Sequence, residues 1–110
     1  MQELVEAKFS IGNIVKHKFL EFRGVIFDLD PVFNNTDEWY NAIPKKIRPD
    51  KNQPFYHLFA ENEEIFYIAY VSEQNLLDDL KNGPANHPDI RKIFSHFDGN
   101  CYVPHENVTN

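Results

Sequence analysis

Over residues 14–19 apolar and polar positions alternate: Val15, His17 and Phe19 fall on one side, Ile14, Lys16 and Lys18 on the other. A period of two predicts a half-buried strand with a mostly apolar face and a basic face, led in by a tight turn at Gly12. Leu20-Glu21-Phe22-Arg23 leads to Gly24 and a second run, Val25-Ile26-Phe27-Asp28-Leu29-Asp30. Strand alternation places Val25, Phe27 and Leu29 on one side and Asp28 and Asp30 on the other. Pro31 has no N–H for a ladder and ends the run.

Asn35-Thr36-Asp37-Glu38 followed by Trp39, Tyr40, Ala42 and Ile43 predicts a helix of about two turns, with Asn35 as cap and Glu38 in the capping-box position. Pro44 stops it. Lys45-Lys46-Ile47-Arg48-Pro49-Asp50-Lys51 has no apolar period and is bracketed by prolines, which predicts an exposed loop. It is also the densest positive cluster in the chain. A hairpin follows, Phe55–Ala60 and Tyr67–Val71 around the acidic turn Glu61-Asn62-Glu63-Glu64. Phe55, His57 and Phe59 oppose Tyr56, Leu58 and Ala60, and Tyr67, Ala69 and Val71 oppose Phe66, Ile68 and Tyr70. Neither face is polar, so the sheet must be covered on both, by curling, by the helix or by another subunit. Residues 78–86 read as a polar Gly-Pro loop, and His87-Pro88-Asp89 opens a short helix through Phe94. The division this suggests is one domain over residues 1–97 and an extended or flexible tail over 98–110, with a last strand at Cys101, Tyr102 and Val103.

A chain of 110 residues fits a single core, since two would each fall below the size that folds unaided. Its net charge of -6 argues against bulk attraction to nucleic acid, so any phosphate contact has to come from a local patch. Lys16, Lys18 and Arg23, together with Lys45, Lys46, Arg48 and Lys51 near Trp39 and Tyr40, are the candidates for such a patch. The lone Cys101 fits a reducing cytosol. Residues 1–7 carry acids where a secretory signal is positive, and no apolar run approaches the ~20 residues that span a bilayer. A cytoplasmic protein is the expectation.

Catalytic and metal signatures are weak. Asp28 and Asp30 share a strand face, yet no third carboxylate or histidine has motif spacing nearby, and an edge-strand ending is the simpler reading. His96, Cys101 and His105 lack the second close pair of ligands that structural zinc takes. His17 and His57 sit on apolar strand faces, as core histidines do. The four glycines, Gly12, Gly24, Gly83 and Gly99, are dispersed and make no phosphate loop. Neither a catalytic residue, a cofactor nor a metal is predicted.

Ala7-Lys8-Phe9-Ser10-Ile11-Gly12 with Val15 and His17, Arg23 through Pro31, Glu38-Trp39-Tyr40, Gln53 through Leu58 and Ala69 through Leu76 together resemble the HspQ family, also called YccV-like or hemimethylated-DNA-binding heat-shock proteins. The likeness runs in order over about residues 7–90. It implies a mainly β fold, a small SH3-like β-barrel with one or two short helices, in a bacterial cytoplasmic protein without enzymatic activity. It further implies a heat-shock regulator that modulates degradation by the Lon protease, with binding of hemimethylated DNA as the alternative, and a homotrimer. The polar end, through His105, Asn107 and Asn110, is the expected protease contact.

Overall fold

The hairpin predicted from alternation is the centre of the fold. The structure, a computed structural model, describes residues 6–106. It contains strands β1 (Ile14–His17), β2 (Arg23–Asp30), β3 (Phe55–Glu61), β4 (Phe66–Ser72), β5 (Leu76–Asp78), β6 (Phe94–Phe97) and β7 (Tyr102–Pro104), with helices α1 (Asp37–Asn41) and α2 (Ile90–Ile93). The first five strands form one antiparallel sheet in the order β4-β3-β2-β1-β5, and β6 and β7 form a separate hairpin. No backbone pairing joins β4 to β5 among the described residues, so the fold is mainly β with the large sheet open between its two outer strands.

Both faces of β3 are covered within one chain, while Phe66 and Ile68 of β4 stay exposed. On one side Phe9, Val15, Ile26, Tyr56, Leu58 and Leu76 form a core, with Phe22, Leu29, Tyr67 and Ala69 against it. On the other, Ile14, Val25 and Phe59 pack with Ile90, Phe94 and Tyr102 from the C-terminal hairpin and α2. Each large apolar side chain fully removed from water contributes about 1.5–3 kcal/mol, and Tyr56, Phe55, Phe94, Ile14 and Ile26 are all buried to this degree.

Several expectations are corrected. The first strand stops at His17: its Nδ1 accepts from the Phe19 and Leu20 N–H groups, both at 3.0 Å, which turns the chain and leaves Phe19 exposed. The second strand breaks register between Ile26 and Asp28, a bulge that places one extra residue, Phe27, on the strand. Phe27 stacks on Phe59 at 4.1 Å, and beyond the bulge Leu29 joins the opposite core, with Ile26. Asp28 and Asp30 share a side as expected, but it is the side of His57 and Phe55. The cap of α1 is Thr36, whose Oγ1 accepts from the Trp39 N–H at 3.1 Å, while Asn35 Oδ1 accepts from the Thr36 N–H. Leu76–Asp78 form β5, which pairs with β1 and takes in Asp78, the first residue of the expected polar loop. The helix predicted through Phe94 ends at Ile93, and Phe94 opens β6.

The strand expected at Cys101–Val103 is present as β7, and it belongs to the fold. Its Tyr102 N–H donates to the Gly12 carbonyl at 2.8 Å, and the Tyr102 hydroxyl bonds both the N–H and the carbonyl of Ala85 at 3.1 Å. Gly12 has φ +97, and a Cβ there would collide with the Tyr102 carbonyl oxygen, so a glycine is required by both conformation and space. The boundary expected at residue 97 falls inside the β6–β7 hairpin.

Candidate functional site

Three loops converge at the Ser72 end of β4, and buried Asn75 holds two of them together. Its carbonyl accepts from the Lys18 N–H at 2.8 Å, and its Nδ2 donates to the Ile47 carbonyl at 2.9 Å. Beside it runs a groove of about 350 Å³ with β4 from Ile68 to Ser72 along its floor. One wall is His17, Leu20 and Phe22; the other includes Trp39, Ile43 and Ile47. Each wall is fixed by aromatic contact with a face of the strand: Phe22 meets Tyr67 edge-on at 5.8 Å, and Trp39 meets Tyr70 edge-on at 5.3 Å. Asn75 thus ties the Lys18 backbone to that of Ile47, a groove-lining residue next to Lys45 and Lys46 in the chain; the three lysines are exposed, and Lys18 lines the neighbouring cleft toward the β3–β4 turn. Their ammonium groups have no ion-pair or hydrogen-bond partner among the described residues.

Three of the other predicted cations, Arg23, Arg48 and Lys51, have partners within the fold. Arg23 Nε donates to Asp79 Oδ2 at 2.6 Å, Nη1 to the Pro84 carbonyl at 3.0 Å and Nη2 to the Gly83 carbonyl at 2.6 Å. Asp79 is 1% exposed, so this is a buried ion pair that fastens β2 to the 79–84 turn. Arg48 donates to the carbonyls of Asn41 and Ile43, closing the end of α1. Lys51 pairs with Asp37 at 3.1 Å and lies 4.6 Å from the centre of the Tyr40 ring. Lys16 and Lys18 line a separate cleft with Arg23 and with Glu21, Glu61, Glu63, Glu64 and Asp79, where acids outnumber the cations. Of the seven candidates, Lys18 and the Lys45–Lys46 pair lie on two segments that Asn75 ties together through the Lys18 N–H and the Ile47 carbonyl.

Asp30, His57, Tyr70, Tyr56 and His17 have structural partners. Asp30 Oδ2 accepts from the Tyr70 hydroxyl at 2.8 Å and meets His57 Nε2 at 3.1 Å. Burial and this hydrogen bond raise the Tyr70 pKa. Burial and the bond from its hydroxyl to Glu73 raise that of Tyr56. Burial lowers the pKa of His17. Accepting two N–H bonds at Nδ1 requires that nitrogen to be unprotonated. Among the described residues no group of three His, Cys, Asp or Glu side chains is placed to hold a metal ion, and no helix is long and apolar enough to cross a membrane. His105 Nε2 bonds the Arg91 carbonyl at 2.8 Å, and its N–H donates to Ile93. Asn107 and Asn110 lie outside the described residues.

Residues 7–101 match the family described as YccV-like, Hemimethylated DNA-binding protein YccV like. The chain belongs to the YccV-like family. The match covers β1 through β6 and both walls of the groove. Curated relatives include F-box only protein 21 of Homo sapiens and of Pongo abelii, each 33% identical over 97 residues, and that of Mus musculus, 32% identical over 97. The aligned region is 87% of this chain and 15% of each relative, so this YccV-like chain spans a small part of their length. No solved structure matches it. Two parts of the groove were not singled out as site residues from the sequence: the Asn75 clasp and Ser72. The clasp joins residues 28 apart in the chain, Asn75 and Ile47, and Ser72 is buried by its place in the sheet opposite Phe55, so neither has a local pattern.

Proposed function

We propose that the chain is a non-enzymatic DNA-binding module that recognises hemimethylated duplex at the groove beside β4. The observation that carries this reading is the apolar groove with exposed, unpaired lysines on the segments that Asn75 ties together beside it, Lys18 on one and Lys45 and Lys46 on the other, in a chain of net charge -6. The lysines hold phosphates, and the apolar walls at Leu20, Phe22, Ile43 and Ile47 take the methyl group that a modified base presents in the major groove. Burying one methyl is worth about 0.8 kcal/mol, which is about a fourfold preference. The curled sheet is read as an SH3-like barrel left open between β4 and β5. Titration of the protein with hemimethylated and unmethylated duplexes of one sequence tests the reading; equal affinity, or none, rejects it.

A second reading is regulation of proteolysis, in which the chain acts as an adaptor for Lon and assembles as a homo-oligomer, a trimer. It is supported by the HspQ resemblance and by the exposed apolar side chains Phe66, Ile68 and Leu20 along the groove and its approach. Addition of the protein should accelerate degradation of a test substrate by purified Lon. An unchanged rate with the folded protein rejects it, and sedimentation tests the trimer.

A further inference from the structure

We propose that β4 is a docking edge for an extended peptide, which adds to the sheet as a sixth, antiparallel strand inside the groove. The backbone bonds fix which groups are open. The Glu73 N–H donates to the Pro54 carbonyl at 2.9 Å, and the Asn62 N–H donates to the Ile65 carbonyl at 3.1 Å. Bonded and non-bonded pairs alternate along an antiparallel ladder. With the register Tyr56↔Val71, Leu58↔Ala69 and Ala60↔Tyr67, those pairs bond across to β3. The N–H and C=O groups of Phe66, Ile68, Tyr70 and Ser72 therefore point away from it, and none of them has a backbone partner among the described residues. A long edge with unpaired groups is a template for another strand, and proteins ordinarily blunt it. Here the edge carries Phe66 and Ile68, 52% and 60% exposed.

Two further observations point to an occupant. Ser72 is 2% exposed, lines the groove, and its Oγ has no hydrogen-bond partner. A buried hydroxyl left unpaired is costly, and an incoming backbone group would satisfy it. The edge also lies between two walls, so the slot admits a single extended segment and excludes a second folded domain bearing the same walls. Charge sets the direction. Asn75, just past Ser72, is tied to Ile47, next to the exposed Lys45 and Lys46, while the Phe66 end carries Glu61, opposite Phe66, and Glu63 and Glu64 of the turn. An antiparallel strand begins at the Ser72 end, so the fitting peptide has acidic residues before an alternating apolar stretch. Backbone bonds then give affinity, and side chains taken alternately by the Phe22 and Trp39 walls give specificity. The inference does not rest on DNA binding, and it supplies the proteolysis reading with a contact.

The probe is a fluorescein-labelled peptide of two aspartates followed by alternating valine and threonine, long enough to reach from Ser72 to Phe66. Its anisotropy should rise saturably with the full chain. Methylating the peptide nitrogens that face β4 should weaken binding at least about tenfold, and moving the aspartates to the other end should weaken it about fivefold. Ile68→Pro removes a donor that points away from β3 and should reproduce the loss. Should that variant fail to fold, the methylated peptide still decides on the unaltered protein. Equal binding of the methylated peptide overturns the proposal, as does no binding by the parent peptide. Binding of hemimethylated duplex with no peptide binding assigns the groove to DNA and also overturns it. A Lon assay that fails while the peptide binds rejects the proteolysis reading alone.

Discussion

Arg23 was the cation most easily mistaken for a phosphate ligand, and replacing it should unfold rather than merely unbind. Its guanidinium is 19% exposed and its partner carboxylate on Asp79 is 2% exposed at the side chain. Asp79 Oδ1 also accepts from Asn82, and the Asp79 N–H donates to the Ile14 carbonyl. Arg23→Met therefore leaves a carboxylate uncompensated in the interior and strips donors from the Gly83 and Pro84 carbonyls. Breaking a buried pair from one side costs about 3–5 kcal/mol. The partial exposure of Arg23 admits water and places the expectation near the lower figure. Against a total of about 5–15 kcal/mol for a domain, this is a large fraction. At about 4 °C per kcal/mol it lowers Tm by about 12 °C. Arg23→Met combined with Asp79→Leu removes both charges and should recover most of the loss, because the desolvation cost disappears with them. Urea denaturation of the three proteins at neutral pH measures the effect. A loss below about 1 kcal/mol for Arg23→Met, or a double variant as unstable as the single, refutes the reasoning and returns Arg23 to the candidate interface.

Tyr102→Ala should cost about 3–5 kcal/mol, since it empties a site in the second core and removes both bonds to Ala85; deletion after residue 97 should be worse, and a stable, folded truncation seen by circular dichroism would contradict the place given to β7. His17 has a folded pKa below its unfolded value of 6.5, so the unfolded chain takes up the proton first: this contribution is complete above pH 6.5, falls as pH drops below it, and levels off under the lowered pKa, with a slope of at most about 1.4 kcal/mol per pH unit. Comparing the pH dependence of Tm with that of His17→Gln isolates it, and identical profiles would exclude the role.

The hairpin was legible because period-two alternation, an acidic turn and a proline on entering β3 are all local. The same locality explains what was missed. Phe27 gives no sign in sequence that it is an extra residue on its strand, and the bulge reverses where Leu29 points. β5 and β6 are three and four residues long, too short for a periodic signal, and both exist because another strand is there to pair with. For the candidate site, charge spacing identified every basic residue but could not tell a paired cation from a free one. Arg23 finds Asp79 across 56 positions, while Lys51 finds Asp37 across 14. The proposed interface, Lys18 with Lys45 and Lys46, depends on segments tied together by Asn75, an unremarkable polar residue after β4.

The most direct test of the DNA reading is the salt dependence of binding to a hemimethylated duplex. Three phosphate contacts, from Lys18, Lys45 and Lys46, predict a slope of log K against log salt of about −2.7, and Lys45→Ala with Lys46→Ala should reduce it to about −0.9. Binding whose slope is the same in the double variant as in the parent protein would contradict the site.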